Sequence, residues 1–179
     1  GHQAFRLNFK SISKRLFHSI CHQIPSEHIL SLVLSNDNQT PEQIPHFLRH
    51  FQSASFTQLR SLVLKEIEEV HFHRLFQHVL PISSLSLTFL KKRLTDAKTL
   101  PLISSIIARN NLRHLSLSLS WDQIDDLAWP DTCHLQSLTI SNRLSFHQLS
   151  QIFRQSPQLK TIVLQDCCID YFTDPSELY

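Results

Sequence analysis

Glycine is almost absent from this chain: the only one in 179 residues is Gly1, which together with His2 reads as a possible cloning scar. A folded body without glycine has no residue that takes positive φ free of steric cost. That excludes a phosphate-cradling P-loop, a dinucleotide-binding G-x-G-x-x-G turn and a G-x-S-x-G nucleophile elbow, all of which need glycine at fixed offsets. Methionine is missing altogether, so the chain is expected to be an excised segment. The four cysteines, Cys21, Cys133, Cys167 and Cys168, show neither C-x-x-C spacing nor a disulfide framework. Reduced thiols and a cytoplasmic or nuclear setting are expected. No apolar run approaches the roughly 18 residues that span a bilayer, and no secretory segment is visible, so no membrane is expected as a partner. Lys and Arg number 17 against 15 Asp and Glu, a net +2 that lacks the dense basic stripe of a nucleic-acid binder. The twelve histidines make the surface charge pH-sensitive.

What the chain does have is repetition. The pattern L-x-x-L-x-L, with Ile at some Leu positions, occurs at Ile29/Leu32/Leu34, Leu59/Leu62/Leu64, Ile82/Leu85/Leu87, Leu112/Leu115/Leu117, Leu135/Leu138/Ile140 and Leu159/Ile162/Leu164. Ala4/Leu7/Phe9 is a degenerate seventh copy. The copies start 23 to 30 residues apart, a period of stacked solenoid units. The last two aliphatics of each copy sit two apart, so an extended chain points both to one face and a short strand results. Between strands the period changes. Ile44, Phe47, Leu48 and Phe51 fall on one helical stripe, as do Phe72, Leu75, Phe76 and Val79. Ile12, Leu16, Phe17 and Ile20 form another, followed by Leu102, Ile103, Ile106 and Ile107 and by Phe146, Leu149, Ile152 and Phe153. Thr40 before Pro41, and Ser145 before Phe146, are helix-start signals. The segment 122–132 reads as a helical turn or irregular loop. Strands joined by crossing helices must run parallel. The expected fold is therefore α/β, a single domain over 1–179 of about seven repeats, built as a curved solenoid with parallel strands on the concave face and helices on the convex face. A C-terminal cap is expected near 170–179.

The copies resemble the leucine-rich repeat family. Leu159-x-x-Ile162-x-Leu164-x-x-Cys167 matches its full L-x-x-L-x-L-x-x-(N/C) form, whereas the Asn/Cys position of the other copies holds Ile12, Asp37, Ile67, Leu90, Ser120 and Arg143. The run from Phe5 through Ser35 and the segment Thr57-Gln58-Leu59-Arg60-Ser61-Leu62 are similar to the divergent leucine-rich region of F-box-type substrate receptors. That resemblance implies the substrate-recognition region of an F-box-like cullin–RING ubiquitin ligase receptor. Its target protein is unknown, and the cullin–RING adaptor would be engaged only through an upstream F-box that these residues do not contain. Repetition by itself leaves a second reading open, a leucine-rich scaffold or inhibitor with no ubiquitin role.

Side chains beside the inward aliphatics point to the concave face. They are Ser31, Val33 and Ser35; Ser61, Val63 and Lys65; Ser84, Ser86 and Thr88; His114, Ser116 and Ser118; Ser137, Thr139 and Ser141; Thr161, Val163 and Gln165. Short hydroxyl side chains are also what an exposed sheet tolerates, so a binding role competes with a bland one. Trp121 and Trp129 are candidate aromatic anchors at the edge, although a Trp there commonly fills a gap in the core. His18 and His22, and His46 and His50, stand at the i, i+4 spacing of metal ligands, but each pair is half a tetrahedral site and projects to the solvent side. His71 and His78 extend the same outward ridge. No metal and no cofactor are expected. Cys167 reads as a buried structural thiol, Cys133-His134 as no dyad, and Glu66, Glu68, Glu69 and Asp125-Asp126 as solvated helix starts. With no nucleophile, base and orienting group at workable spacing, the chain is expected not to be an enzyme. The first unit has no evident polar cap, so a monomer or a weak dimer through that unit is expected.

Overall fold

The computed structural model describes residues 4–37, 40–91, 93–131, 133–141, 144–165 and 169–170. Its strands are β1 (Phe5–Asn8), β2 (Ile29–Ser35), β3 (Ser61–Ile67), β4 (Ser84–Phe89), β5 (His114–Ser118), β6 (Ser137–Ser141), β7 (Leu144–Ser145), β8 (Thr161–Gln165) and β9 (Ile169–Asp170). Seven of them form one sheet in the order β1-β2-β3-β4-β5-β6-β8, and every pairing in it is parallel. β7 and β9 pair separately. The leucine triplets set the register: Leu7, Leu32, Leu62, Leu85, Leu115, Leu138 and Ile162 face one another across successive strands, as do Leu34, Leu64, Leu87, Leu117, Ile140 and Leu164. Because side chains alternate along a strand, this register puts every second residue on the covered face. The leading residue of each triplet is buried as well, from Ile29 to Leu135.

Among the described residues six α-helices connect the strands: α1 (Lys14–Gln23), α2 (Gln43–His50), α3 (Glu69–Leu75), α4 (Thr99–Ile107), α5 (Trp121–Asp125) and α6 (Phe146–Gln155). Phe17, Ile44, Phe47, Leu48, Phe72, Leu75, Ile103, Ile106, Ile107 and Ile152 carry their buried sides into the same core as the strand leucines. The fold is thus a mixed α/β arrangement on a parallel seven-stranded sheet. Ser145 caps α6 as read from the sequence, with Gln148 completing a reciprocal capping box. Elsewhere the helical stripes run too long. Ile12 lies before α1 and Leu16 is 52% exposed, because α1 buries Phe17 and Cys21 instead. Val79 lies beyond α3 and is 77% exposed, and Phe146 and Phe153 of α6 are also exposed. α2 begins at Gln43, not at Thr40-Pro41: the Thr40 hydroxyl is 2.9 Å from the Ser35 carbonyl oxygen, and the intervening Glu42 is left-handed at φ 59°. Ser11 (φ 61°) and Glu66 (φ 55°) share that conformation. With no glycine to occupy these corners, ordinary residues take them at about 1–2 kcal/mol each.

In place of an Asn ladder, side chains at helix starts bracket the adjoining backbone. The Gln43 amide oxygen accepts from Ser35 N (3.0 Å) while its nitrogen donates to the Phe9 carbonyl (2.8 Å), tying the ends of β1 and β2 together. Gln123 in α5 accepts from Leu94 N (2.9 Å) and donates to the Leu94 carbonyl (2.8 Å). Glu69, first in α3, accepts from Thr95 N, Asp96 N and the Thr95 and Thr99 hydroxyls, fastening the segment that enters α4. Sequence reasoning placed Glu69 at its own helix start, where Glu68 holds the cap position without a side-chain bond. Among the described residues no helix is long and apolar enough to cross a membrane.

Candidate binding face

The uncovered face of the sheet is tiled in rows, since parallel strands stand about 4.8 Å apart and bring equivalent side chains alongside. One row reads Arg6, Ser31, Ser61, Ser84, His114, Ser137, Thr161. The next reads Asn8, Val33, Val63, Ser86, Ser116, Thr139, Val163. Beyond it Lys65 follows Val63, Thr88 pairs with Ser118, and Ser141 pairs with Gln165, its hydroxyl donating to the Gln165 amide oxygen at 2.9 Å. All the candidate face residues are part-exposed or exposed, with one correction. Ser35 is fully buried, because its N–H and carbonyl are held by Gln43 and Thr40. Two complete rows of short side chains carry only Arg6 and His114 as ionisable groups, so the face is broad, polar and nearly uncharged.

The aromatic rim looks different from its sequence reading. Trp129 is only 5% exposed and packs in the core, so it is no anchor, and the side chain of Trp121 lies outside the described residues. Cys167, Cys168 and the residues 171–179 also lie outside them. Cys133 and His134 precede β6 and are not part of a strand; Cys133 is buried and its N–H donates to Gln155. Cys21 is buried too, which pushes its thiol up to about 12 and removes the reactive thiolate.

Two hydroxyl–imidazole contacts join neighbouring units behind the sheet. Ser53 Oγ lies 2.8 Å from His78 Nδ1, and Thr99 Oγ1 lies 2.9 Å from His73 Nε2. The Thr99 hydroxyl donates to Glu69 at 2.6 Å, and an Asp96 carboxylate oxygen approaches the same His73 nitrogen at 3.4 Å. Burial pushes the Glu69 carboxyl up, but the hydrogen bonds from Thr95, Thr99 and Asp96 outweigh it and hold the group below its ordinary value.

The histidine pairs that the sequence sends to solvent meet between α1 and α2. His18 Nδ1 is 3.2 Å from His50 Nε2, and ring centroids separate by 5.6 Å for His18–His46, 5.4 Å for His18–His50 and 4.8 Å for His22–His50. His22 and His50 are exposed as expected, whereas His18 and His46 are half-buried and the His46 Nε2 atom is buried without a hydrogen-bond partner. Desolvation leads the causes that hold His46 and His50 below their ordinary value; Lys14, Arg49 and His18 add to it at His46 against the opposing pull of Glu42, and His22 and His18 add to it at His50. His71 is half-buried and His78 exposed, so the outward ridge is only partly formed. Each i, i+4 pair is legible in the sequence; that they face each other across two helices is not.

No protein-family model matches this chain, and neither a curated protein nor a solved structure is significantly similar to it.

Proposed function

We propose that the chain is a leucine-rich-repeat-type solenoid whose open sheet face binds a protein partner. The observation that carries this reading is the continuous register of the repeated triplets, which leaves one face covered by helices and the other tiled with short side chains. Curvature follows from spacing. Helices pack 8–10 Å apart while strands stand about 4.8 Å apart, so stacking helix-backed units bends the strand side inward. Short hydroxyls on a concave floor let a partner's backbone approach and hydrogen-bond, and the near absence of charge makes shape the main selector.

The resemblance of the segments 5–35 and 57–62 supports a narrower version, in which the floor is the substrate-recognition region of an F-box-like cullin–RING ubiquitin ligase receptor. A protein in which an F-box precedes these residues is then expected to bring down the cullin adaptor, and the 179 residues alone are not. Failure of such a protein to bring down the adaptor would leave the scaffold or inhibitor reading. The binding face has its own test. Ser86→Arg with Ser116→Arg places two long cations in the middle of the floor, where surface substitution costs about 0.5 kcal/mol or less. Partner recovery by cross-linking should fall about tenfold, equivalent to roughly 1.4 kcal/mol. Unchanged recovery would place binding on another surface.

A further inference from the structure

The helix pair α1–α2 carries two H-x-x-x-H sequences, His18/His22 and His46/His50, and residues four apart on a helix share one face. The fold turns those two faces toward each other. His18 Nδ1 and His50 Nε2 stand 3.2 Å apart across the helix boundary. Two imidazole nitrogens bound to one tetrahedral ion at 2.0–2.1 Å are separated by about 3.3–3.4 Å, close to the spacing of this hydrogen-bonded pair, whose shared proton the ion displaces. A third imidazole is at hand, because the His22 ring lies 4.8 Å from that of His50 and is exposed. Exposed side chains change rotamer within nanoseconds, so His22 reorients without disturbing the core. Among the described residues no group of three His, Cys, Asp or Glu side chains is placed to hold a metal ion as the side chains stand, so the site forms only with a change of His22 rotamer. His46 belongs to a different environment, with its Nε2 3.7 Å from Glu42 and its ring 5.6 Å from that of His18.

We propose that His18, His22 and His50 together bind one divalent transition-metal ion of the Zn2+ class, with water in the fourth position. Imidazole donors suit Zn2+, Ni2+ and Cu2+ and not the hard ions Ca2+ or Mg2+. Two ligands come from α1 and one from α2, so the ion fastens the first helix-backed unit to the second and stabilises the fold in proportion to its occupancy. The site lies among the helices and does not depend on the reading of the sheet face.

Calorimetric titration of the metal-free 179-residue chain with Zn2+ tests this, with Co2+ absorption as the readout of geometry. One equivalent is expected to bind, and Co2+ is expected to give the intense visible bands of a four-coordinate site without a thiolate charge-transfer band. His22→Gln and His50→Gln should each weaken Zn2+ binding by at least about 10- to 100-fold, the loss typical of removing even a supporting partner. His46→Gln and the control His71→Gln should leave it unchanged. Far-UV circular dichroism shows whether His50→Gln keeps its fold; His22 is exposed, and its variant decides the matter if His50→Gln does not. No saturable binding, several weak equivalents indifferent to His22→Gln, or a loss in His46→Gln equal to that in His22→Gln would each overturn the assignment.

Discussion

Gln43 shows what single polar residues do in this fold. Its amide replaces solvent for two backbone groups at once, the Ser35 N–H and the Phe9 carbonyl, at a position only 5% exposed. Truncation leaves the Ser35 N–H unpaired, at about 1–3 kcal/mol, while the Phe9 carbonyl keeps the bond it accepts from Ile12 N. Gln43→Ala is therefore expected to lower stability by about 1–3 kcal/mol. Gln148 provides the contrast. Its oxygen accepts from Ser145 N within the capping box, but its buried nitrogen has no partner, so Gln148→Ala should cost only about 1 kcal/mol. Urea midpoints of the two variants check the difference, and equal losses would remove the bracketing role from Gln43. A glutamine at a helix start reads as solvated surface, which is why sequence reasoning passed over it. Gln directly before a core aliphatic recurs at Gln43-Ile44 and Gln123-Ile124 but equally at Gln58-Leu59 and Gln151-Ile152, so the sequence carries no signal that singles out the bracketing residues.

At the scale of elements, the seven strands of the main sheet were legible, whereas the two-residue strands β7 and β9 and the helix limits were not. A strand needs only two aliphatics two residues apart, and each triplet supplies them; a helical stripe extends through residues such as Ile12 and Val79 that satisfy the period but lie outside the hydrogen-bonded turns. Links between elements were the least legible, because they join residues more than twenty apart. Glu69 is one such link, from α3 to the entry of α4. Its folded carboxyl titrates below its ordinary 4.5, so the fold favours the charged form. The resulting stabilisation is fully present above the unfolded value and disappears as pH falls through the lower folded value. Glu69→Gln is expected to cost about 1–2 kcal/mol at pH 7, since one acceptor becomes a donor facing Asp96 N. That gap should close as pH drops below 4.5, as measured by urea unfolding at a series of pH values. A gap constant down to pH 3 would mean that packing and not charge makes the contact.

Across the whole molecule, burial of the repeated leucine falls away toward the ends of the sheet. Leu32, Leu62 and Leu138 are fully buried, whereas Leu7 on edge strand β1 and Ile162 on edge strand β8 are only half-covered. A stacked unit covers its neighbour, so a unit with one neighbour keeps an apolar flank. On the β1 side that flank includes Leu7 and Ile20, with Leu16 of α1 52% exposed. A second copy of the chain offers the same surface, and a self-complementary patch supports a twofold dimer. The area is small, so association should be weak, with a Kd on the order of 100 µM, or roughly −5.5 kcal/mol. Sedimentation velocity over rising concentration should show a growing dimer fraction for the parent chain. Leu16→Glu, placed on an exposed helical position, should hold the chain monomeric with its stability changed by about 0.5 kcal/mol or less. A parent chain that stays monomeric, or a dimer that survives Leu16→Glu, would move the contact away from α1 and leave the half-covered leucines at the β8 end as the flank to examine.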